Sequence, residues 1–461
     1  MKAKNNTIKE NKIIDYIIIG NSAAGLAAAA SIRELDKDRR IVIFTEEEHF
    51  NYSKPLITYY LAGKADMDKI YFKDEKFYQN NDLEVKTKTR VEDIDTDKLI
   101  IRAENGDEYK FGKLLIASRG KPIIPKIKTS GTGLNQSGKS IGFIDSTNYK
   151  GVEGIFTLTT LDDAIKIKKY IKKNEIENIS LLGGGLIGLK SAEAFLELGI
   201  NINIIELADR ILAATFDQEA SSIIENAIED RGSKIYKNNT IEEIYVKNGK
   251  INGFRLKDGE EINCNLLVIA IGVSPDINFV DPGKIKTGRG IIVDDHMQTS
   301  VRNIYASGDV AEAWDILLKE NRNIAIWPLA VIQGAAAGNN MAGGSIKYSG
   351  GFFMNSVEIL SIPSISMGIT NINIEDHEDV EIIKEFKPEL NLYKKIVIRK
   401  NKIIGIILIG NIERAGIYAG LIKNKIDLSS VKENISKEDF GIIHFPAKYK
   451  KHLVIGDGME V

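Results

Sequence analysis

Apolar residues in this chain are gathered into short, largely β-branched runs, and the runs that end in glycine predict buried parallel strands. The first run, Ile13 to Gly20, is followed by small residues from Ala23 to Ala30, which predict a helix that presses closely on a sheet. A second run within Arg39 to Glu48 predicts a strand that ends in acidic residues. The chain therefore opens with a strand, a glycine turn, a helix and another strand.

The same order of elements returns in the segment 178–210, NISLLGGGLIGLKSAEAFLELGININIIELADR. The two segments share an architecture but not a detailed sequence. Between them, residues 113–125 (KLLIASRGKPIIP) predict a strand that runs into a proline-rich crossing and leaves the first domain. Beyond the second segment, Asn-Gly and Asp-Gly turns predict hairpins, followed by a return to a parallel sheet.

The sequence changes character after about Gly350. Residues 391–410 (NLYKKIVIRKNKIIGIILIG) predict two strands joined at Lys400 to Lys402, and residues 415–425 (AGIYAGLIKNK) predict a helix. We interpret this part as a separate α+β domain.

The fold class that these elements predict is α/β, with two Rossmann-like dinucleotide-binding domains and a C-terminal α+β domain. The length of 461 residues is enough for about three domains. We expect one dinucleotide-binding domain to be interrupted by the other. The predicted boundaries are 1–150 for the first part of the interrupted domain, 151–270 for the inserted domain, 271–348 for the second part and 349–461 for the C-terminal domain.

Charge and composition exclude several classes of function. The 62 basic and 64 acidic residues give a formal net charge of −2, so no global field attracts nucleic acid or a membrane surface. No apolar run reaches the roughly 18 residues of a membrane span. The apolar run near the N-terminus is too short for a signal peptide, and we therefore expect a cytoplasmic protein. The 5 histidines are scattered singly, so the sequence predicts no metal site.

Two glycine turns between a strand and a helix are the candidates for binding chemistry. Such a turn directs backbone N–H groups and the helix dipole at one point, which suits a pyrophosphate. In the pattern G-x-G-x-x-G the first glycine makes the turn, the second admits the phosphate and the third lets helix and strand pack. Serine in the middle place is small and can donate a hydrogen bond. The residues are Gly20, Ser22 and Gly25 in the first turn, and Gly183, Gly185 and Gly188 in the second.

Acidic residues stand at the end of the strand that follows each turn. Glu206 is placed to accept hydrogen bonds from both hydroxyls of an adenosine ribose and to repel a 2′-phosphate, so we expect NADH to be preferred over NADPH. Glu46 and Glu47 hold the corresponding place in the first unit, and we prefer Glu46. The alternative for this pair is two surface acids after a strand.

With these motifs in place, the sequence resembles the two-dinucleotide-binding flavoprotein oxidoreductases of the pyridine nucleotide-disulfide oxidoreductase-like superfamily. The nearest branch is that of the NADH:rubredoxin, nitrite-reductase-like and ferredoxin–NAD reductases. The resemblance covers nearly the whole chain. Four further segments carry it: TSVRNIYASGDVAEA with Asp309, NYSKPLITYYLAG with Lys54 and Pro55, AIGVSPD, and WPLAVIQGAAAGNNMAG with Trp327 and Pro328.

The resemblance implies that FAD lies across the first domain, that NAD(H) lies on the second, and that Asp309 binds the ribityl chain. Hydride transfer between stacked rings needs orientation more than acid–base groups, so no catalytic side chain is predicted. The alternative for Trp327 is core packing. The predicted FAD contacts are Gly20, Ser22, Ala24, Gly25, Glu46, Glu47, Lys54, Pro55, Val91, Ala117, Ser118, Gly308, Asp309, Trp327 and Pro328. The predicted NAD(H) contacts are Gly183, Gly185, Ile187, Gly188, Glu206 and Gly272.

The chain departs from the family pattern at three places. Arg119 stands where relatives usually have glycine, so the closure of the flavin domain is expected to differ locally. Lys190 stands where many relatives have a glutamate beside the flavin, and that glutamate's role is not transferred. Ser53 stands in a region where NADH oxidases and CoA-disulfide reductases carry a redox cysteine. Cys264 is the single cysteine, so an internal disulfide is excluded. The apolar residues around it predict that Cys264 is buried and inert.

The predicted function is transfer of electrons between NAD(H) and a small ferredoxin- or rubredoxin-like protein. The alternatives are an NADH oxidase or peroxidase, and a flavoprotein subunit of a larger redox complex. The resemblance implies that the C-terminal domain supports a homodimer or association with an iron–sulfur protein. The lysine runs Lys166 to Lys173 and Lys448 to Lys451 are candidate docking patches for an acidic partner, although helical spacing favours a solvated face for the first.

Overall fold

The computed structural model describes residues 13–132, 142–176, 178–372 and 379–445. These residues form two compact units. The first contains the described residues before 206 together with residues 239–351, and the second contains residues 206–238 together with the described residues from 352 onward. Within the described ranges, no helix combines the length and the apolar character that a membrane span requires.

The helices are α1 (Ala23–Leu35), α2 (Ile57–Leu61), α3 (Met67–Ile70), α4 (Glu75–Asn80), α5 (Leu161–Lys173), α6 (Leu186–Glu197), α7 (Gln218–Glu229), α8 (Trp327–Met341) and α9 (Ala415–Lys423).

The strands up to the second glycine turn are β1 (Ile14–Ile19), β2 (Ile41–Phe44), β3 (Leu83–Lys86), β4 (Val91–Asp95), β5 (Ile100–Ala103), β6 (Glu108–Ile116), β7 (Gly120–Pro122), β8 (Ile127–Thr132), β9 (Phe143–Ile144), β10 (Ile155–Phe156) and β11 (Ile179–Leu182). Those that follow, up to Arg322, are β12 (Ile202–Ile205), β13 (Lys234–Tyr236), β14 (Ile241–Lys247), β15 (Lys250–Leu256), β16 (Glu261–Asn263), β17 (Leu266–Ile269), β18 (Val273–Pro275), β19 (Ile291–Ile292), β20 (Ile304–Ala306), β21 (Ala311–Asp315) and β22 (Glu320–Arg322). The last five are β23 (Met354–Ile359), β24 (Ile362–Gly368), β25 (Val380–Lys387), β26 (Leu392–Arg399) and β27 (Lys402–Ile409).

The first sheet has the order β3-β2-β1-β6-β5-β4, and β20 also pairs with β6. β1 is parallel to both of its neighbours, with Ile17 opposite Val42 on one side and Leu114 on the other. Five of the six residues of β1 are apolar or aromatic, and these five are buried. This is expected for a strand that is covered on both faces of the sheet. The carboxyl ends of β2, β1, β6 and β20 therefore meet at one edge.

The second sheet of the first unit places β10, β17, β11 and β12 side by side in that order, all parallel. β11 lies between β12, to which α6 connects it, and β17, which comes much later in the chain. Such a reversal of strand order leaves a crevice at the carboxyl ends of the strands, where ligands bind in α/β sheets.

Small residues allow α1 and α8 to approach each other closely. A Cβ at Gly334 would lie 2.2 Å from the carbonyl oxygen of Ala24, and one at Gly338 would lie 2.2 Å from that of Ala28. These separations are far below van der Waals contact, so the two helices pack backbone against backbone. The contact holds the N-terminal end of α1 against the middle of α8.

The rest of the first unit is built from smaller sheets. β14 pairs antiparallel with β15 and parallel with β8, giving the order β16-β15-β14-β8-β9. β18 pairs with β7, and β21 lies between β19 and β22. The hairpins predicted from the Asn-Gly and Asp-Gly turns are confirmed by β14, β15 and β16, and β17 returns to the parallel sheet as predicted.

The second unit contains the antiparallel sheet β23-β24-β27-β26-β25. β26 and β27 are joined at Lys400 and Asn401, so the predicted hairpin is confirmed, and the predicted helix is α9. The α/β fold class is confirmed as well. The domain boundaries at 150, 270 and 348 remain predictions.

Candidate functional site

The first glycine turn is fixed by steric requirements at both of its ends. Gly20 has φ +121°, and a Cβ there would lie 2.1 Å from the carbonyl oxygen of Ala117. A Cβ at Gly25 would lie 2.0 Å from the carbonyl oxygen of Gly20. Ser22 is the extended N-cap residue of α1, and its side chain makes no capping bond. The first N–H groups of α1 therefore remain available for an anion.

Residues that follow two further strands of the same sheet converge on this turn. Ala117 and Ser118 follow β6, and Gly308 and Asp309 follow β20, which pairs with β6. Gly308 has φ +75°, and a Cβ there would lie 3.1 Å from the Cβ of Ala24. The structure thus brings together Gly20, Ala24, Ala117 and Gly308, four of the predicted contacts, and Asp309, the residue after Gly308, is partly exposed. This edge has the backbone cradle that a dinucleotide requires.

The two acids after β2 have different environments. Glu47 accepts a hydrogen bond from the hydroxyl of Tyr52 at 2.6 Å, and that hydroxyl also accepts one from the N–H of Leu161 at 3.2 Å. Glu46 lies 2.6 Å from the guanidinium of Arg119 and 3.9 Å from that of Arg90. The carboxylate of Glu46 is thus held by the short ion pair with Arg119, and that of Glu47 by a buried tyrosine.

The remaining predicted contacts of the first site lie around this edge. Val91 is buried at the start of β4 and directly follows Arg90. Lys54 and Pro55 form a single 3₁₀ turn ahead of α2. Trp327 opens α8 with Pro328 beside it; its ring meets Phe72 edge to face at 5.0 Å and packs on the cluster of Ala23, Ala24 and Ala330. Trp327 therefore has a packing role, and contact with a cofactor ring stays a prediction.

The second glycine turn repeats the construction of the first. Gly183 has φ +114°, and a Cβ there would lie 2.5 Å from the carbonyl oxygen of Ala270; one at Gly188 would lie 2.0 Å from that of Gly183. Gly185 is the N-cap of α6, and a Cβ there would meet no atom within 4 Å. The space in front of the α6 N-terminus is therefore open, as the approach of a pyrophosphate requires.

Two apolar side chains stand at this second turn. Ile187 in the first turn of α6 and Ile271 after β17 are 38% and 40% exposed. Gly272 has φ +119°, and its carbonyl oxygen accepts a hydrogen bond from the N–H of Ile123 at 3.0 Å. Exposed isoleucines at a strand end offer an apolar surface to a planar ring.

Glu206 belongs to the second compact unit and directly follows β12 in the chain. Its N–H donates to the carbonyl oxygen of Tyr236 at 2.9 Å, and its Oε1 accepts from the N–H of Ala208 at 2.8 Å.

Lys190, which departs from the family pattern, lies on α6 with its ammonium 5.0 Å from the ring centroid of Tyr59 and in contact with Glu193. Lys64 pairs with Glu197 of the same helix at 2.8 Å. The segment that carries α2 is thus linked to α6 by a cation over an aromatic ring and by an ion pair. In this structure Lys190 therefore contacts Tyr59 and Glu193.

Cys264 is fully buried, and its Sγ donates to the carbonyl oxygen of Leu266. Burial raises the pKa of the thiol to about 11, so the thiolate is scarce at neutral pH. The predicted buried position is confirmed.

Sequence reasoning missed two polar groups at the first turn. The side chain of Gln333 is buried in α8 and accepts a hydrogen bond from the N–H of Gly308 at 2.9 Å. Tyr78 donates to Asn21 at 3.1 Å and accepts from Asn51 at 3.0 Å. A lone glutamine within a helix of small residues was a usable signal, whereas nothing local marks Tyr78 as a partner of the turn.

Two surface features lie outside the glycine turns: an acidic group that the sequence analysis did not single out, and the predicted lysine runs. Asp294, Asp295 and His296 each place one potential ligand atom within 4.8 Å of the others, but Asp295 is already paired with Lys347 at 2.8 Å. Of the first lysine run, Lys166, Lys169, Lys172 and Lys173 are exposed. The second run, Lys448 to Lys451, lies outside the described residues.

Comparison with known proteins agrees with this geometry. Residues 14–334 match the family described as pyridine nucleotide-disulphide oxidoreductase, and residues 354–426 match the rubredoxin NAD+ reductase C-terminal domain. The chain is 28% identical over 422 residues to the NADH-dependent phenylglyoxylate dehydrogenase subunit epsilon of Aromatoleum evansii, covering 90% of this chain and 93% of that protein. It is 30% identical over 339 residues to an NADH oxidase of Methanocaldococcus jannaschii, covering 72% and 71%.

Among solved structures, NADH:rubredoxin oxidoreductase from Clostridium acetobutylicum superposes with a TM-score of 0.70 at 26% identity, covering 93% of this chain and 98% of that one. The predicted family, enzyme class and cofactors are confirmed. With its two glycine turns at the carboxyl ends of parallel strands, the chain belongs to the pyridine nucleotide-disulphide oxidoreductase family and is an oxidoreductase that binds FAD and NAD(P)H.

Proposed function

We propose that the protein is an FAD-dependent NADH oxidoreductase that moves electrons between NAD(H) and a small iron–sulfur or rubredoxin-type carrier, without a redox-active cysteine. FAD binds at the Gly20 turn and NAD(H) at the Gly183 turn. The chain's residues supply binding, orientation and exclusion of water, and the flavin supplies the hydride and electron chemistry.

The observation that carries this proposal is the state of Cys264. It is the only cysteine of the chain, it is fully buried, and its pKa is raised to about 11. A lone buried thiol forms neither the dithiol of a disulfide reductase nor a reactive peroxidase thiol. Electrons therefore leave the flavin directly for an external acceptor.

Glu206 supports a preference for NADH within this proposal. Its carboxylate ends the strand after the second glycine turn, where the family's ribose contact falls, and one of its oxygens is already fixed by the N–H of Ala208. A fixed carboxylate accepts from ribose hydroxyls and repels a 2′-phosphate.

Two observations support a small carrier protein as the acceptor. Residues 354–426 match the C-terminal domain of rubredoxin NAD+ reductases, and α5 carries four exposed lysines that would complement an acidic partner. Local charge of this kind sets the encounter rate rather than the final affinity.

Stopped-flow absorbance under argon tests the proposal. The flavin is reduced with NADH and then mixed with ferredoxin, rubredoxin, benzoquinone, oxygen or hydrogen peroxide at matched concentrations. We expect one of the two iron proteins to reoxidise the flavin fastest. Faster reoxidation by oxygen or peroxide would replace the proposal with the oxidase alternative, which the 30% identity to an NADH oxidase favours.

A second candidate is a flavoprotein subunit of a larger redox complex. The observation that favours it is the similarity to subunit epsilon of a phenylglyoxylate dehydrogenase, which covers 90% of this chain. Purification of the native protein under anaerobic conditions distinguishes the two: stoichiometric co-purification of an iron–sulfur protein through size exclusion supports the subunit, and an isolated active chain supports the free reductase.

We also propose that the family's domain arrangement applies. Residues 1–150 and 271–348 bind FAD, and residues 151–270 bind NAD(H). Residues 349–461 form an interface domain that supports a homodimer. Light scattering of the purified full chain tests the dimer.

A further inference from the structure

Arg119 and Glu46 form an ion pair that bridges the first glycine turn. Arg119 follows β6 and Glu46 follows β2, and these strands lie on either side of β1. The guanidinium Nη2 is 2.6 Å from Oε1 of Glu46, and Nη1 is 4.0 Å from Oε1 of Glu47. The pair therefore spans the edge at which Gly20 leaves β1.

The arginine is held in a largely buried place. Its side chain is 27% exposed, and its carbonyl oxygen accepts a hydrogen bond from the N–H of Asp276 at 3.0 Å, which fixes the backbone. Burial opposes the charge, but the carboxylates of Glu46 and Glu47 outweigh this effect and raise the pKa of the guanidinium. Arg119 is therefore a permanent cation at this edge.

Its hydrogen-bonding capacity is not exhausted by the acids. Nε of Arg119 is buried and has no hydrogen-bond partner among the described residues. A buried donor without an acceptor is unfavourable, and a ligand oxygen or ring nitrogen relieves it. This orphaned donor indicates that a polar ligand group completes the site.

The acids beside it differ in what they can offer. Tyr52 donates to Oε2 of Glu47 at 2.6 Å, whereas Oε2 of Glu46 lies 3.9 Å from Nε of Arg90. A carboxylate oxygen has lone pairs enough to accept from ribose hydroxyls while its partner oxygen binds a guanidinium. Glu46 is thus the acid whose orientation Arg119 fixes through a short ion pair, and its second oxygen keeps acceptor capacity.

We propose that Arg119 is a positioning residue for the adenosine half of FAD: it orients Glu46 toward the ribose, donates from Nε to the adenosine, and offsets the negative charge that two adjacent carboxylates would present to the pyrophosphate. This inference rests on the proposed FAD site at the Gly20 turn. It makes Arg119 a determinant of the choice between FAD and FMN, because FMN has the flavin half but no adenosine.

The test compares FAD and FMN binding to the full chain after removal of bound flavin, with flavin fluorescence and protein fluorescence quenching as readouts. The variants are Arg119→Met, Arg119→Lys, Glu46→Gln and, as a matched control, Arg90→Met, which removes a nearby cation that makes no short ion pair. ADP, which mimics the adenosine half, is used as a competitor. Circular dichroism of each deflavinated variant checks folding.

For Arg119→Met we expect the Kd of FAD to rise at least tenfold, the Kd of FMN to stay within twofold, and ADP to lose potency as a competitor. Arg119→Lys keeps the charge but loses the planar guanidinium, so the Kd of FAD should rise less than in Arg119→Met. If Arg119→Met does not fold, Arg119→Lys takes its place in the comparison. Arg90→Met should leave the FAD/FMN ratio within about threefold.

Three outcomes separate the hypotheses. Equal weakening of FAD and FMN by both Arg119 variants would show a merely structural role and overturn the inference. Loss of FAD preference in Glu46→Gln, with the preference intact in the Arg119 variants, would also overturn it while keeping the FAD site. A wild-type chain that does not prefer FAD over FMN would reject the proposed FAD site itself.

Discussion

The ammonium nitrogen of Lys168 lies 4.5 Å from the ring centroid of Tyr60 and donates a hydrogen bond to the carbonyl oxygen of the same residue at 3.0 Å. Lys168 belongs to α5, and Tyr60 to α2. One lysine thus caps a carbonyl at the end of a short helix and covers an aromatic face. The spacing of the lysine run predicts a solvated surface, but Lys168 makes a structural contact.

We predict that Lys168→Met destabilises the protein by about 1–2 kcal/mol, because it removes a charged hydrogen bond and a cation over an aromatic ring. Urea unfolding followed by circular dichroism measures the change. Lys169→Met is the matched control, because Lys169 adjoins Lys168 on the same helix and is exposed. The free energy of unfolding of this variant should stay within about 0.5 kcal/mol of the wild-type value. Equal effects of the two substitutions would contradict the assignment.

The contact between α1 and α8 predicts opposite effects for two helical glycines. Gly334→Ala places a methyl group 2.2 Å from the carbonyl oxygen of Ala24 and should cost about 1–3 kcal/mol or more, with release of flavin, because α1 begins at the FAD turn. Gly420→Ala in α9 meets no atom within 4 Å and should gain about 0.5–1 kcal/mol. Thermal unfolding with flavin fluorescence measures both. A neutral Gly334→Ala would mean that the helices are further apart than described.

The charge at residue 206 predicts the choice of nicotinamide nucleotide. Replacing the carboxylate in Glu206→Arg removes repulsion of a 2′-phosphate and supplies attraction, which should shift the ratio of kcat/KM for NADPH over NADH by about 10- to 100-fold, or roughly 1–3 kcal/mol. Steady-state assays with an artificial acceptor measure the ratio. Glu229→Arg, at an exposed position of α7, is the control for net charge. An unchanged ratio in Glu206→Arg would remove Glu206 from the site.

A buried ion pair in the second unit predicts loss of stability in acid. Asp217 accepts hydrogen bonds from Lys395 at 2.8 Å and from Tyr393 at 2.6 Å, and it caps α7. Burial alone would raise the pKa of Asp217, but these hydrogen bonds hold it below its usual value of 3.8. A depressed pKa gives stability that is present above the unfolded-state value and lost as the pH falls through the folded-state value.

We therefore expect Asp217→Asn to cost about 3–5 kcal/mol at pH 7, because it leaves the buried ammonium of Lys395 unpaired, and to cost progressively less below pH 3.8. Urea unfolding between pH 3 and pH 7 measures the difference. Asp230→Asn, at the exposed end of the same helix, should show neither the cost nor the pH dependence. A cost for Asp217→Asn that is independent of pH would argue against the ion pair.

Because the thiol of Cys264 is buried, we predict that NADH-linked turnover does not need it. Cys264→Ala should cost about 1 kcal/mol of stability and leave NADH-linked turnover within twofold. A thiol reagent should react slowly with the folded wild-type protein and quickly in urea, because the pKa of the thiol is raised to about 11 and its sulfur is fully buried. A folded Cys264→Ala protein without turnover would show that the thiol takes part.

The sequence by itself determined the two strand–turn–helix units, the fold class, the C-terminal hairpin and the buried place of Cys264. These features are local. A glycine such as Gly20 or Gly183 is required by a backbone conformation, and the apolar runs beside it report burial through their spacing alone. The order of the motifs then identified the family.

Only the tertiary structure decided which side chains meet. The ion pair of Arg119 with Glu46, the hydrogen bond from Gly308 to Gln333 and the contact of Lys168 with Tyr60 each join residues from separate elements. From the sequence, Arg119 was only a departure from a glycine, and Lys168 one lysine among several. Such contacts depend on strand order and helix packing, and hydrophobic periodicity carries no information about which charged or polar group lies opposite another.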